Sequence, residues 1–289
     1  IDIYVRSFEL GSILTGLLYL GLLTVVKQIL DIPFSYYRHF VIEEKYGFNK
    51  MTFKTFVIDI LKGVILGVVL GGILLAVLLW VFEKGGSSAW AYCWIFIIGF
   101  QLFVLFVAPV WIMPLFNKFI PLKDGELKTK IEAYAAKQDF KFHNLFTMDG
   151  SKRSSKSNAY FTGFGKYRRI VLFDTLISKH SSEELVSVLA HEVGHYKLKH
   201  VFKMLVTSIL TTGLMLFVLS LFINNKGMFA AFKMEYLSIY GSLVFFLFLY
   251  SPISTVISVI DNIFSRKHEY EADEFAVRTY GSSEFLIES

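Results

Sequence analysis

The sequence predicts a mainly α-helical, polytopic membrane protein that carries one α+β domain with a β-hairpin. Of its 289 residues, 54% are hydrophobic and only 18% are charged, and the mean hydropathy is +0.54. Soluble domains average about 45–50% apolar and about 25% charged residues. The apolar excess is concentrated in five segments, each long enough to cross a bilayer, for which about 20 apolar residues suffice. The single cysteine, Cys93, excludes an intrachain disulfide and a cysteine-based zinc site.

The five predicted transmembrane segments are residues 11–30, 63–82, 91–116, 204–223 and 236–260. Pro109 and Pro114 predict a kink or an early end in the third segment, because proline cannot donate the helical hydrogen bond. Gly63, Gly67 and Gly71 recur every fourth residue and form a stripe on the second segment. We expect a neighbouring helix to pack closely on this stripe.

A polar region, residues 117–203, lies between the third and fourth segments. Its predicted elements are a helix at 125–138, a strand at 142–148, a basic turn at 150–155 and two further strands at 158–164 and 169–173. The last two strands are expected to form a hairpin. Ser181 or Ser182 then caps a helix that runs towards His200.

The distribution of positive charge predicts the orientation in the membrane. With five spans, the loop 31–62, the polar region and the tail after residue 260 share one side. That side holds every Lys and Arg except Lys27, which lies inside a span, and Arg6, Lys84, Lys226 and Lys233 on the other side. The positive-inside rule therefore makes the polar side cytoplasmic. The same rule explains the net charge of +5 and the pI near 9.0 without a nucleic-acid partner.

The pentad His191-Glu192-Val193-Gly194-His195 fits H-E-x-x-H. On a helix, residues four apart lie on one face, so both imidazoles can bind one zinc ion. Glu192 lies about 100° round the helix, where it can act as general base towards water. The pattern indicates a metalloprotease centre. The alternative is a pair of surface histidines on an ordinary amphipathic helix.

Catalytic zinc takes three protein ligands and keeps one open position. The segment after the fifth span offers four candidates for the third ligand, namely His268, Glu269, Glu271 and Asp273. In a helix, Glu269 and Asp273 share a face and Glu271 points away. This favours Glu269 as the ligand, with Asp273 orienting a ligand histidine or donating a proton. His200, five residues after His195, is expected to face another way on the same helix. A solvated acidic cluster is the alternative.

H-E-x-x-H together with S-R-x-x-E-x-x-A-D resembles a family of membrane zinc metalloproteases that includes the type I CAAX prenyl endopeptidases and the smaller heat-shock membrane proteases. Residues 40–49, 150–163 and 169–176 resemble the CAAX branch specifically, and the likeness extends from about residue 11 to 281. The resemblance implies a zincin-like domain with one zinc ion on His191, His195 and Glu269. It also implies that Glu192 is catalytic.

The resemblance further implies isoprenylated C-terminal CAAX peptides as substrates, cleaved in a chamber of seven spans. The five spans match the last five of the family, so one or two N-terminal helices and a C-terminal segment are expected to lie outside this sequence. Lys156 replaces the histidine that the family usually has in the basic turn.

The predicted organisation has four parts: 1–116 with three spans and the cytoplasmic loop, 117–203 as catalytic domain, 204–260 with two spans, and 261–289 as the helix with the third ligand. Residues 158–162 are expected to form an exposed strand that pairs with a peptide, with Asn158 and Tyr160 near the substrate. The alternative is a hairpin strand without substrate contact.

These patterns predict a zinc-dependent endopeptidase that is embedded in the lipid bilayer. Its expected substrate is a peptide or a prenylated protein. The membrane would be a bacterial inner membrane or the endoplasmic reticulum, according to the source. A heat-shock-type quality-control protease and a non-catalytic zinc-containing scaffold are the alternatives. The presence of Glu192 argues against the scaffold, because structural zinc needs no base and usually has four closed ligands.

Overall fold

The computed structural model describes residues 1–163 and 168–281. The helices are α1 (Asp2–Arg6), α2 (Ser12–Tyr37), α3 (Phe53–Leu66), α4 (Gly72–Lys84), α5 (Ala89–Val107), α6 (Met113–Phe116), α7 (Glu126–Lys137), α8 (Asp174–Ile177), α9 (Ser182–Lys197), α10 (His200–Phe222), α11 (Lys226–Ala231) and α12 (Ile239–Tyr280). The strands are β1 (Phe119–Pro121), β2 (Asn144–Met148), β3 (Ala159–Thr162) and β4 (Arg169–Phe173).

Five helical stretches in this part of the chain are long and apolar enough to cross a membrane: Ser12–Glu43, Phe53–Lys84, Gly86–Phe116, His200–Phe222 and Ile239–Tyr280. They confirm the five predicted spans, and the protein is a multi-pass integral membrane protein. The helices extend beyond the apolar runs, most of all α12, which continues to Tyr280. The kink or early end predicted from Pro109 is present. Helix α5 ends at Val107, and the π-helical segment Ala108–Ile112 leads into α6.

The chain divides into two compact units, of which the first comprises Ile1–Tyr37, Val57–Phe103 and Leu205–Ile260. At one end of this unit, the side chain of Ser12 donates a hydrogen bond to Glu83, and the Tyr240 hydroxyl donates one to Asp2 (2.6 Å). A Cβ built on Gly16 of α2 would also lie 3.1 Å from Tyr240. The start of α2, the end of α4 and the start of α12 therefore lie together. Spans that alternate in direction require this arrangement.

The predicted packing on the stripe of Gly63, Gly67 and Gly71 is wrong for the residues described. Apart from the chain neighbours and the backbone of the same helix, no described heavy atom lies within 4 Å of a Cβ built at any of the three. Close approach occurs at other glycines, because a Cβ on Gly16 would lie 2.8 Å from Leu79, and one on Gly213 would lie 2.7 Å from Trp94.

The second unit comprises Arg38–Phe56, Val104–Met204 and the chain from Asp261 onwards. Its sheet has the order β1-β2-β4-β3, with antiparallel β1/β2 and β3/β4 pairs and a parallel β2/β4 pair. The antiparallel pair, in which Ala159 lies opposite Leu172, confirms the hairpin. Its turn and the last predicted residue of the first strand, 164–167, lie outside the described residues. Strand β3 lies at an edge of the sheet.

Helices α7 and α9 pack on one face of this sheet and confirm two predicted helices. The Ser181 hydroxyl accepts a hydrogen bond from the Glu184 amide, and the Glu184 carboxylate accepts one from the Ser181 amide, so a capping box begins α9. The buried core between helices and sheet includes Ile131, Tyr134, Leu145, Ile170, Leu172, Leu185, Leu189 and Val193. Burial of each large apolar side chain contributes about 1.5–3 kcal/mol, which fixes α9 on the sheet.

The helix predicted to run towards His200 ends earlier. Helix α9 stops at Lys197, and Lys199 adopts a left-handed backbone conformation with φ of +58°. His200 then begins α10. This turn changes the direction of the chain directly after the H-E-x-x-H pentad.

Candidate metal centre

Helix α9 places the two histidines of the pentad on one face. His191 and His195 are one turn apart, and their Nε2 atoms lie 3.0 Å from each other. Both imidazoles are largely buried, with 19% and 17% of the side chain exposed. Their Nε2 atoms therefore converge on one point, as the i, i+4 spacing predicted.

Gly194 allows α12 to approach this face. A Cβ built on Gly194 would lie 3.1 Å from the Cα and the carbonyl oxygen of Ala272, and 3.2 Å from the Cβ of Phe275. Ala272 is completely buried at this contact. The absence of a side chain at Gly194 and the methyl group at Ala272 bring the two helices close, so residues on α12 can reach the histidines of α9.

Glu269 of α12 completes a triangle of ligand atoms. Its Oε2 lies 3.4 Å from His191 Nε2 and 3.7 Å from His195 Nε2. With the 3.0 Å between the two nitrogens, the centre of this triangle lies about 2.0 Å from each corner, the length of Zn–N and Zn–O bonds. The three residues thus form a group that fits a metal ion. Because they are two imidazoles and a carboxylate, zinc suits the set.

Asp273 lies one turn further along α12 and contacts His191. Its Oδ1 is 2.7 Å from His191 Nδ1. An ionised carboxylate only accepts hydrogen bonds, so His191 donates through Nδ1. The Nε2 atom of a neutral His191 then carries the lone pair that a metal needs.

Glu192 and His195 have shifted pKa values that suit their expected roles. Burial raises the pKa of the Glu192 carboxyl to about 7, opposed by nearby His191 and reinforced by the negative charge of Glu269. Burial also lowers the pKa of His195, and the neighbouring His191 lowers it further. A depressed pKa favours the neutral imidazole, which is the form that binds a metal.

His200 contacts His195 on the side of its ring opposite the candidate metal position. The sequence did not predict this contact. Its Nδ1 lies 3.0 Å from His195 Nδ1, and its Nε2 lies 3.0 Å from Glu271 Oε2. The ring of His268 stacks on it with centroids 4.2 Å apart. The i, i+3 spacing of His268 and Glu271 is a sequence signal for a shared face of α12. The turn at Lys199 that redirects His200 has no comparable signal.

Asn158 contacts the adjacent backbone and strand β4, and Tyr160 contacts two methionine sulfurs. The carbonyl of Asn158 accepts a hydrogen bond from the Phe173 amide (3.1 Å), and its Oδ1 accepts one from the Ala159 amide (2.8 Å). The hydroxyl of Tyr160 lies 3.7 Å from the sulfurs of Met113 and Met148.

The main-chain groups of β3 alternate between the two sides of the strand. The Asn158 carbonyl bonds to β4, so the main-chain groups of Tyr160, two residues later, also face β4. The main-chain groups of Ala159 and Phe161 therefore face the outer edge of the sheet.

Comparison with known proteins identifies the family of this chain. Residues 121–288 match the family described as peptidase family M48. Residues 1–118 match the family described as CAAX prenyl protease N-terminal, five membrane helices. The chain belongs to peptidase family M48. The first 118 residues are thus similar to the N-terminal part of CAAX prenyl proteases.

Curated relatives of this M48 chain include CAAX prenyl protease 1 of Saccharomyces cerevisiae, which is 38% identical over 288 residues. The alignment covers 94% of this chain and 64% of the yeast protein. The Homo sapiens homolog of CAAX prenyl protease 1 is 34% identical, with 92% and 64% covered. This chain therefore spans about two thirds or less of the length of these relatives.

A solved structure resembles this M48 chain closely. The crystal structure of S. mikatae Ste24p matches with a TM-score of 0.88 and 38% identity, and the match covers 93% of this chain and 66% of that one. Membership of a metallopeptidase family implies a metal ion. The triangle of His191, His195 and Glu269 is a group in the described residues that can hold it.

Proposed function

We propose that this chain belongs to a zinc-dependent membrane endopeptidase that hydrolyses peptide bonds near the C-terminus of isoprenylated CAAX proteins. The observation that carries the proposal is the convergence of His191 Nε2, His195 Nε2 and Glu269 Oε2 within 3.0–3.7 Å of one another. One zinc ion per chain would bind these three atoms. Three protein ligands leave a fourth position for water or substrate, as catalytic zinc requires.

The residues around the ligands would carry out the proton transfers. Bound zinc supplies Lewis acidity, which activates water and polarises the scissile carbonyl. Glu192 follows His191 in the chain and accepts the proton as the water attacks. It then delivers the proton to the leaving amine. Its pKa of about 7 suits both steps near neutral pH. Asp273 holds His191 through Nδ1 and is a candidate second proton donor.

Strand β3 would bind the substrate in an extended form. It lies at the edge of the sheet, and its buried residue Ala159 belongs to the same core as Leu189 of α9. The outer edge offers the main-chain groups of Phe161 and the carbonyl of Ala159. A peptide that pairs there takes its register from main-chain hydrogen bonds. Asn158 and Tyr160 would flank it.

The names of the relatives support the substrate class. The yeast protein is a CAAX prenyl protease, and its alignment covers 94% of this chain. A prenylated substrate also suits an enzyme embedded in the bilayer, because both the isoprenoid and the spans are apolar. We place the catalytic side in the cytoplasm, because 24 of the 29 Lys and Arg lie on the predicted side of the metal centre. Four lie on the other side, and Lys27 lies inside a span.

A peptide assay on the purified chain tests the proposal. Zinc content and cleavage rate are measured for the wild type, for Glu192→Gln and for the control Glu183→Gln, which changes a carboxylate in the first turn of the same helix. We expect Glu192→Gln to lose about 10²–10⁴-fold in kcat with zinc retained, and the control to keep its activity. Full activity in Glu192→Gln, or a wild type without zinc, would refute the proposal. Equal rates on farnesylated and unprenylated peptides would remove the CAAX assignment.

A further inference from the structure

His200 is buried between the metal centre and a carboxylate. Only 1% of its surface is exposed. Its Nδ1 lies 3.0 Å from His195 Nδ1, and its Nε2 lies 3.0 Å from Glu271 Oε2. Both ring nitrogens are therefore engaged by protein groups. The carboxylate of Glu271 is itself held by Lys267 (3.7 Å) and Lys203 (4.0 Å).

These contacts fix the positions of the protons. An ionised Glu271 only accepts, so His200 carries its proton on Nε2. A neutral imidazole has one N–H, which makes His200 Nδ1 an acceptor. His195 must then donate through its Nδ1. Its Nε2 is left with a free lone pair, and this atom is the one that lies near His191 Nε2 and Glu269.

We infer that His200 and Glu271 are positioning residues that hold His195 in the tautomer and orientation required for metal binding through Nε2. The inference rests on the proposed function, in which His195 is a zinc ligand. The two zinc-binding histidines would thus be held in different ways. His191 donates directly to the Asp273 carboxylate at 2.7 Å, whereas His195 reaches the Glu271 carboxylate through the ring of His200.

A second metal ion is the competing use of the same residues. His200, His268 and Glu271 lie close enough together to hold one. His268 is 9% exposed, and its buried Nδ1 makes no hydrogen bond within the described residues.

Two features oppose a second ion. An ion bound to His200 Nε2 would force the His200 proton onto Nδ1, which would then donate to His195 Nδ1. The proton of His195 would move to its Nε2 and block metal binding there. In addition, the rings of His200 and His268 stack with an interplanar angle of 16°. Because ring lone pairs lie in the ring plane, these two do not converge on one ion.

Three variants separate the possibilities. His200→Phe keeps a stacking ring but removes both nitrogens. His200→Asn restores an acceptor near the position of Nδ1. His268→Phe keeps the stack and removes nitrogens that only the second ion needs. Zinc affinity is measured by competition with a chelator, stoichiometry by metal analysis, and the ligand set by the visible spectrum of the Co²⁺-substituted protein.

We expect one ion per wild-type chain and a loss of about 10–100-fold in zinc affinity for His200→Phe, the range found when partners of metal-binding histidines are removed. His200→Asn should recover part of the loss, and the Co²⁺ spectrum should change in His200→Phe but not in His268→Phe. Recovery by Asn, which lacks the shape of the ring, distinguishes hydrogen bonding from a packing role.

Other outcomes identify which claim fails. A wild type that binds no zinc refutes the proposed function itself. One tightly bound ion in both the wild type and His200→Phe overturns only the positioning role. Two ions in the wild type, with one lost in His268→Phe, replace the positioning role by a second metal site. If His200→Phe does not fold, the zinc affinities of His200→Asn and Glu271→Ala are compared with that of the wild type instead. Glu271→Ala should weaken zinc binding.

Discussion

His191 Nδ1 and Asp273 Oδ1 lie 2.7 Å apart, although the two residues are separated by 82 positions in the chain. The contact joins α9 to α12 at the point where the two helices supply the candidate metal ligands. Asp273 has 48% of its side chain exposed. Its contact with His191 therefore serves the orientation of the imidazole more than the burial of apolar surface.

Asp273→Ala is expected to weaken zinc binding by about 10–100-fold, because the His191 ring loses the acceptor that fixes its tautomer. Glu274→Ala removes an exposed carboxylate from the next position of the same helix and is the matched control. Chelator competition measures both. Equal zinc affinity in Asp273→Ala and the wild type would contradict the role assigned to this contact.

Gly194→Ala is expected to destabilise the protein by about 1–3 kcal/mol, the usual cost of overpacking. The added methyl group would meet the Ala272 backbone at 3.1 Å and force α9 and α12 apart. Because Glu269 lies on α12, zinc affinity should fall together with stability. Gly125→Ala is the control, since, its chain neighbours apart, no heavy atom of the described residues lies within 4 Å of a Cβ built there. Unchanged thermal unfolding and zinc affinity in Gly194→Ala would show that the contact is loose.

The sequence predicted the grouping of His191, His195 and Glu269, the candidate ligands, because each half of the group is a local pattern. The i, i+4 spacing places His191 with His195 on one helix, and Glu269 with Asp273 on the other. The contact between the two helices is not local. It depends on Gly194 meeting Ala272, and no spacing rule states which helices will pack together.

Non-local contacts also explain what the sequence did not predict in the sheet, whereas a single residue explains the end of α9. The hairpin of β3 and β4 was predicted from two adjacent β-prone runs. The parallel pairing of β2 with β4 and the three-residue β1 were not, because they depend on partners distant in sequence. His200 was misplaced because one residue, Lys199, adopts a positive φ and ends the helical periodicity.

The stability of the metal-free protein should depend on pH through Glu192. Its folded-state pKa of about 7 lies above the ordinary value of 4.5, so the folded protein holds the proton more tightly than the unfolded chain. The resulting stability is present below pH 4.5 and is lost as the pH rises through 7, by up to about 3 kcal/mol. Glu192→Gln removes this loss. Thermal unfolding of chelated samples should therefore favour Glu192→Gln at pH 8, with the difference shrinking at pH 5. A constant difference between the two pH values would contradict the raised pKa.

Labelling of introduced cysteines tests the proposed orientation. Cys93 is completely buried, so the wild type gives little background. Lys152 and Lys84 are exposed, and the predicted topology puts them on opposite sides of the membrane. In sealed vesicles with the cytoplasmic face outwards, a membrane-impermeant maleimide should label Lys152→Cys directly. Lys84→Cys should react only after detergent opens the vesicles. The reverse pattern would place the metal centre on the other side, and the positive-inside rule would then fail for this chain.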